Sequence, residues 1–255
     1  MAKDDTLATP LDILAALGLL TRLPVRIDTA RATARGARAA WAWPVAGIAV
    51  NGVAALAATV ALALGLPVGV AALLLVTTQI VVTGAMHEDG LADSLDGLWG
   101  GWDRARRLAI MKDSHIGTYG VLGLTVGVLL RWLLWALVLS VTVWPVALAV
   151  GALSRVPMVA LSWALPGARD GGLSRSVGRP DTATLMLATA LALLIGCVAL
   201  GWIALAVAVI LAGVTALWGL LARSKIGGQT GDILGASQQL AEIAALACLA
   251  SALAG

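Results

Sequence analysis

Residues 183–200 read ATLMLATALALLIGCVAL, and after a single glycine residues 202–221 read WIALAVAVILAGVTALWGLL. Neither run contains a charged side chain. An α-helix rises 1.5 Å per residue, so about 20 apolar residues cross the roughly 30 Å hydrocarbon core of a bilayer. Comparable apolar runs occupy residues 41–64, 67–86, 119–141, 145–165 and, in a shorter form, 239–254. The sequence therefore predicts an all-α protein, a polytopic transmembrane helical bundle of about seven spans.

The composition supports this interpretation and leaves no stretch long enough for a separate soluble domain. Of the 255 residues, 60% are hydrophobic and 12% are charged, whereas soluble domains carry about 25% charged residues. We therefore expect residues 1–255 to form one integral membrane domain. The early apolar run 11–20 is short, contains Asp12 and does not resemble a cleavable signal. It predicts a short N-terminal helix that is interfacial or re-entrant.

The charged residues are distributed asymmetrically between the two sets of connections. The connections near 65–68, 142–144 and 201 carry no charge. Arginines are concentrated ahead of the first long span, and basic connections remain in the cytoplasm according to the positive-inside rule. The sequence thus predicts a cytoplasmic N-terminus and a cytoplasmic active face. That face is formed by the segments that hold nearly all the charge, 22–38, 87–118, 166–182 and 222–238.

An acidic motif adjoins the second apolar run, where residues 87–97 read HEDGLADSLDG. Asp89, Asp93 and Asp96 are spaced i, i+4 and i+7, which places them on one face of a helix. Like charges at this spacing destabilise a helix, and acids are costly at membrane depth. A bound Mg²⁺ bridging phosphate oxygens explains the arrangement, with Glu88, about a quarter turn away, as a possible base. The alternative is a solvated acidic face at a helix end.

Two basic positions are candidate phosphate partners. Lys112 precedes Asp113, just before a turn in which Gly117 and Gly120 allow backbone amides to approach an anion. Asp113 is then a further metal ligand or a base. Arg155 lies within a span, where an arginine needs a partner, either a substrate phosphate or a structural ion pair. Arg131, also within a span, is predicted to be structural or to snorkel.

A glycine-rich segment precedes the last span, and residues 225–236 read KIGGQTGDILGA. Gly227, Gly228 and Gly231 predict a tight turn rich in free amides. Asp232 is either the N-cap of the last helix or a second acidic site that faces the first. Acids, basic residues and glycine-rich turns occur here without a Ser-His-Asp or Cys-His arrangement. This combination favours metal-assisted phosphoryl or nucleotidyl transfer.

Four motifs in this order resemble the cobalamin (5′-phosphate) synthase family, whose members are adenosylcobinamide-GDP ribazoletransferases. They are LTRLP at 20–24, HEDGLADSLDG at 87–97, AIMKDS…GTYG at 109–120 and GGQTGDILGA at 227–236. The resemblance implies that adenosylcobinamide-GDP reacts with α-ribazole or its 5′-phosphate, releasing GMP and forming adenosylcobalamin or its 5′-phosphate. It also implies Mg²⁺ as cofactor and the bacterial inner membrane as location.

The resemblance and the residue chemistry together assign expected roles. The family's acidic motif maps onto Glu88, Asp89, Asp93 and Asp96, and its Lys-Asp pair maps onto Lys112 and Asp113. His115 stands where the family's run has a basic residue, so its contact with phosphate is in question. The expected metal ligands are Asp89, Asp93 and Asp96, and the candidate bases are Glu88, Asp113 and Asp232. Substrate contacts are expected from Lys112, Arg155, His115, Gly227, Gly228, Thr230 and Gly231.

Two other functions remain open at the level of sequence. A CDP-alcohol phosphotransferase-like lipid enzyme also has spaced aspartates on membrane helices, although the Ala-Arg that follows Asp-Gly in that family is missing here. A cation or metabolite transporter would use intramembrane acids too, but its site normally lies near the midplane. No nucleic-acid partner is expected. The sequence is compatible with a homo-oligomer or an association with other enzymes of the cobalamin pathway.

Overall fold

The computed structural model describes residues 6–253. The predicted domain limits, 1 and 255, and the last residue of the predicted span 239–254 lie outside that range. The described residues form α-helices joined by a 3₁₀ helix at Gly36–Ala42 and by loops. The helices are α1 (Pro10–Leu20), α2 (Thr29–Arg35), α3 (Trp43–Ala63), α4 (Val68–Thr83), α5 (Met86–Gly100), α6 (Arg104–Ile110), α7 (Thr118–Leu139), α8 (Trp144–Leu153), α9 (Val156–Ala164), α10 (Leu173–Val177), α11 (Thr182–Leu200), α12 (Ile203–Ile226) and α13 (Gly231–Leu253).

The helix lengths confirm the predicted fold class. Within residues 6–253, six helical stretches are long and apolar enough to cross a membrane, and α4 with α5 would make a seventh if that bent pair counts as one span. The six are Thr29–Ala63, Thr118–Leu139, Trp144–Ala164, Thr182–Leu200, Ile203–Ile226 and Gly231–Leu253. Helix α1 is a short apolar helix, as expected. Its Asp12 is fully buried and forms an ion pair with Arg35 at 2.7 Å.

The predicted span 67–86 is wrong at its C-terminal end, because the chain bends there. Helix α4 ends at Thr83, and α5 continues at an angle of 87° to it. Gly84 and Ala85 both take left-handed backbone conformations, with φ angles of 65° and 59°. The bend diverts the acidic sequence of α5 away from the axis of the apolar helix.

The predicted last span, 239–254, begins too late. Helix α13 starts at Gly231, within the glycine-rich motif. The early part of α13 carries Gln238 and Gln239, whose polar side chains lowered the apparent hydrophobicity of this stretch. Both are buried between helices, where other polar side chains satisfy them.

Glycines allow the acidic helix α5 to pack closely on the start of α13. A Cβ atom at Gly235 would lie 3.3 Å from the Cα of His87, and one at Gly90 would lie 2.8 Å from the backbone oxygen of Asp232. Small residues at such contacts let membrane helices approach each other. This contact brings Asp232, the predicted second acidic site, beside the acidic motif.

The charged connections meet at one end of the bundle. Arg104 donates hydrogen bonds to the carbonyls of Ile226 and Ala168, at 2.8 and 2.9 Å. From the other side, Lys225 donates to the carbonyl of Leu98 at 3.0 Å. The segments around 98–107, 166–169 and 225–230 are therefore one structural unit.

Candidate active site

Two aspartates of the acidic motif present free carboxylates at this end of the bundle. Asp89 is exposed and Asp93 is half-buried, one turn apart on α5. Neither side chain forms a hydrogen bond or an ion pair with another residue of 6–253. Asp93 is close enough to Asp89 and Asp232 for their charges to repel, and the charge of Arg169 partly offsets this. Such a site attracts a cation or the basic part of a ligand.

The third aspartate of the motif is engaged within the protein. Asp96 is buried, and its two carboxylate oxygens accept hydrogen bonds from the amides of Gly117 and Gly120 at 2.6 and 2.9 Å. These amides belong to the start of α7, where helix amides lack internal partners. The glycines expected to receive a substrate anion thus receive the carboxylate of Asp96 instead. Asp96 holds the α5–α7 connection in place.

Asp232 lies in the first turn of α13 and forms an ion pair with Arg169. The hydroxyl of Thr230 donates a further hydrogen bond to the same carboxylate at 3.1 Å. The charges of Asp89 and Asp232 also interact. The structure thus brings three of the predicted acids, Asp89, Asp93 and Asp232, to one place.

A cavity of about 150 Å³ opens beside these groups, and we call it the acidic cavity. Its wall combines α5, the start of α13 and the loop between α9 and α10. Its polar lining comes from Asp89, Arg169, Ser174, Gln229, Thr230 and Asp232. The donor set consists of carboxylate, hydroxyl and amide oxygens, which suit a hard cation such as Mg²⁺. Within residues 6–253, no three acidic, histidine or cysteine side chains are arranged closely enough to form a complete metal site.

The glycine-rich motif shapes the wall of the acidic cavity. Gly227 ends α12 in a left-handed conformation with φ of 78°. Gly228 lies so close to the carbonyl of Pro166 that a side chain would collide with it. A short parallel bridge follows, in which Gln229 donates its amide to Pro166 and Ala168 donates to Gln229, at 2.9 and 2.8 Å. Gly231, the first residue of α13, and Thr230 both line the cavity.

The loop before α7 holds three other predicted site residues, and all three are exposed. Lys112, Asp113 and His115 extend from the turn that follows α6. The Nδ1 atom of His115 lies 2.7 Å from a carboxylate oxygen of Asp113. This hydrogen bond, together with the charge of Asp113, raises the pKa of His115, and the same hydrogen bond lowers the pKa of Asp113. The pair lies outside the acidic cavity wall described above.

Glu88 and Arg155 belong to a different group, which we call the inner polar cluster. It comprises Asn51, Gln79, His87, Glu88, Arg131, Arg155, Gln238, Gln239 and Glu242, all buried between helices. Arg131 forms ion pairs with Glu88 at 2.6 Å and Glu242 at 3.3 Å. It is therefore structural and does not snorkel. Arg155 donates a hydrogen bond to the hydroxyl of Ser154 at 3.0 Å, while its Nε atom has no partner among residues 6–253.

Comparison with known proteins assigns the chain to a family. The model of the family described as cobalamin-5-phosphate synthase matches residues 12–250. The chain belongs to this family. It is 44% identical over 241 residues to the adenosylcobinamide-GDP ribazoletransferase of Bradyrhizobium diazoefficiens, covering 92% of this chain and 91% of that protein. It is 39% identical over 252 residues to the protein of the same name from Allorhizobium ampelinum, covering 95% and 97%. No solved structure matches it.

In this family member, some motif residues line the acidic cavity and others hold the surrounding helices in place. The acidic and glycine-rich motifs both contribute to the acidic cavity, although about 140 residues separate them. Arg169 and Gln229 also line it. In the sequence, Arg169 is only one charge of the segment 166–182, and Gln229 is only the residue that follows Gly227 and Gly228 in the glycine-rich motif. Their importance follows from the short bridge between the two loops.

Proposed function

We propose that this chain transfers the cobinamide phosphate group of adenosylcobinamide-GDP to α-ribazole or α-ribazole 5′-phosphate. GMP leaves, and adenosylcobalamin or its 5′-phosphate forms. The observation that carries the proposal is the acidic cavity, which joins residues of the acidic and glycine-rich motifs in a chain of this family. The acidic cavity offers a base and a charged, polar lining for the transfer of a phosphate group.

In the transfer, a ribose hydroxyl of the acceptor attacks the phosphorus that bears the cobinamide. The O–H bond breaks as a new O–P bond forms, and the P–O bond to the leaving GMP breaks. Asp232 is the proposed base, because it lines the cavity and its neighbours Arg169 and Thr230 orient its carboxylate. Glu88 is buried against Arg131 and Asp113 is exposed beside His115, which makes both less suitable.

The leaving nucleotide carries negative charge, which the protein must offset. Arg169 reaches the cavity directly, and Lys112 and His115 are exposed groups at the same end of the bundle. Gly227, Gly228 and Gly231 let the backbone come close to the cavity. Arg155 lies behind α5 in the inner polar cluster, so we assign it a supporting role in place of direct phosphate contact.

Mg²⁺ is the proposed cofactor, and Asp89 and Asp93 are the residues that would hold it. Neither carboxylate has a hydrogen-bond or ion-pair partner within residues 6–253, whereas both oxygens of Asp96 accept hydrogen bonds from backbone amides. When bound, Mg²⁺ would neutralise charge on the phosphate oxygens. We further propose that the charged end of the bundle faces the cytoplasm at the inner membrane, where soluble nucleotides are available.

The proposal is tested with purified protein in lipid nanodiscs. We expect GMP release from adenosylcobinamide-GDP only when α-ribazole or its phosphate is added, and loss of this activity with EDTA. Mg²⁺ should restore it. A parallel reaction with a CDP-alcohol should give no product, and sealed vesicles should show no flux of unconverted substrate. Failure to release GMP under these conditions would reject the proposed function.

A substitution tests the metal-binding part separately. Asp93→Asn should abolish turnover while the protein remains inserted and folded, because the Asp93 side chain has no bonds within residues 6–253. The matched control is Asp170→Asn, which removes an exposed carboxylate from the loop after α9 and should leave turnover unchanged. Near-normal turnover by the Asp93 variant would exclude Asp93 as a metal ligand.

A further inference from the structure

The backbone N–H and carbonyl of Gln229 both form hydrogen bonds, but within residues 6–253 its side chain does not. Its amide donates to Pro166 and its carbonyl accepts from Ala168, which holds two loops together. The residue is only 5% exposed, yet its side-chain oxygen has no hydrogen-bond partner among residues 6–253. The fold therefore requires the backbone of Gln229 but makes no use of its side-chain amide.

A buried amide without a partner destabilises a folded protein, and such groups are uncommon. A second group of this kind lies in the same cavity. The Nε atom of Arg169 is buried and lacks a hydrogen-bond partner within the described range, although another nitrogen of this guanidinium pairs with Asp232. Two residues of one cavity wall thus carry buried polar atoms without a partner in the described range, which points to a ligand that satisfies both when it binds.

The chemistry of the two groups restricts the ligand. The unpaired oxygen of Gln229 accepts hydrogen bonds, so it needs a donor such as a hydroxyl group. A fully ionised phosphate cannot supply that donor, but it can accept from the Nε–H of Arg169. The cavity of about 150 Å³ is smaller than the roughly 300–1,000 Å³ typical of a site for a whole ligand. It is suited to one part of a larger molecule, such as a sugar ring.

We propose that Gln229 binds the non-reacting ring hydroxyl of the acceptor's ribose, beside the hydroxyl that gives its proton to Asp232. This inference rests on the proposed function and adds the position of the acceptor. Gln229 and Asp232 are three residues apart and line the same cavity. Two adjacent hydroxyls of one sugar then meet an amide and a carboxylate. Gln229 is thus the residue that selects a ribose over a deoxyribose.

The test combines one substitution with one altered substrate, using the full-length protein. Gln229→Met removes the amide and keeps the length of the side chain. The altered acceptor has hydrogen in place of its non-reacting ring hydroxyl. We expect this acceptor to lower kcat/KM of the unmodified protein about 10-fold or more. In Gln229→Met, the natural acceptor should lose a similar factor, and the difference between the two acceptors should disappear.

Two further measurements separate a binding role from a structural one. Gln229→Met should not lower the unfolding temperature, because the replaced side-chain amide makes no hydrogen bond with another residue of 6–253. The KM for adenosylcobinamide-GDP should also stay unchanged. Asp170→Asn is the control in the neighbouring loop and should retain the full preference for the natural acceptor. Gln229→Asn, whose amide is withdrawn by one methylene, should lose this preference as well.

The outcomes distinguish this inference from the proposed function. If the unmodified protein releases GMP and Gln229→Met still discriminates between the two acceptors, the assigned contact is wrong. A raised KM for adenosylcobinamide-GDP alone would place Gln229 at the donor and also overturn the inference. If Gln229→Met does not fold, Gln229→Asn decides by the same comparison. Absence of GMP release from the unmodified protein would instead reject the function itself.

Discussion

Aspartates of the same motif have different partners, and the partners decide what each carboxylate can do. Each carboxylate oxygen of Asp96 accepts a hydrogen bond from a backbone amide at the start of α7. In the described part of the chain, Asp89 and Asp93 have no such partners, so their carboxylates can bind a cation. Asp232, from a motif distant in sequence, forms an ion pair with Arg169. The neighbours of each carboxylate therefore indicate whether it stabilises the fold or is available to a ligand.

A residue-scale prediction concerns the exposed pair Asp113 and His115. Their hydrogen bond raises the pKa of His115 above its ordinary value of 6.5 and lowers that of Asp113 below 3.8. The pair is complete when Asp113 is ionised and His115 is protonated. Its stabilising effect is therefore lost as pH rises through the pKa of His115, and also as pH falls through the pKa of Asp113.

Nuclear magnetic resonance of the histidine rings measures this directly, because the sequence contains only His87 and His115. We expect the exposed histidine to titrate with a midpoint above 6.5. Asp113→Asn should lower that midpoint, whereas Asp170→Asn should leave it unchanged. A midpoint that does not respond to Asp113→Asn would show that the pair does not form in solution.

At the scale of elements, the apolar pattern describes best two helices with few residues buried inside the bundle, α11 and α12. Helices α11 and α12 agree with the predicted spans 183–200 and 202–221 to within a few residues, except that α12 extends to Ile226. The apolar pattern starts the last span at residue 239, eight residues after α13 begins, although Asp232 is correctly placed at the start of the helix. The buried side chains of Gln239 and Glu242 are satisfied within the bundle. Their partners, Arg131 and Gln79, come from other helices and cannot be read from local sequence.

The active-site elements show the same limit. Helical spacing correctly predicts a helix through Asp89, Asp93 and Asp96. It cannot predict the 87° bend before that helix, which depends on two consecutive left-handed residues. Nor can it predict that Asp96 receives amides from 21 and 24 residues further along the chain. Long-range partners, rather than local propensity, determine the role of Asp96.

An element-scale prediction follows for the contact between α5 and α7. Asp96→Ala should destabilise the protein by about 1 kcal/mol, because the first amides of α7 lose their acceptor. Thermal unfolding in nanodiscs measures this loss. Asp93→Asn is the matched control and should leave the unfolding temperature unchanged or higher. Residual turnover of Asp96→Ala should keep the normal Mg²⁺ requirement, and a changed requirement with unchanged stability would instead make Asp96 a metal ligand.

At the scale of the whole molecule, polar groups occupy two layers. The charged loops meet at one end of the bundle around the acidic cavity. Behind them, the inner polar cluster holds Arg131 between Glu88 and Glu242 among buried helices. An ion pair that is removed from water adds little net stability to the fold, but the loss of one partner is strongly destabilising. Glu88 directly precedes Asp89. The inner polar cluster therefore fixes the start of α5 and, with it, the orientation of the carboxylates of Asp89 and Asp93.

The asymmetry of charge also predicts the orientation of the whole molecule. Ser114 lies in the exposed loop between α6 and α7, and Ser140 lies at the uncharged end, after α7. In a chain whose Cys197 and Cys248 are replaced by alanine, Ser140→Cys should react with a membrane-impermeant thiol reagent added to intact spheroplasts. Ser114→Cys should react only in inside-out vesicles, since basic connections are retained in the cytoplasm. The cysteine-free chain is the control for background labelling, and GMP release confirms that each variant is folded. Labelling of Ser114→Cys in intact spheroplasts would place the acidic cavity outside, away from the cytoplasmic nucleotide that the proposed reaction consumes.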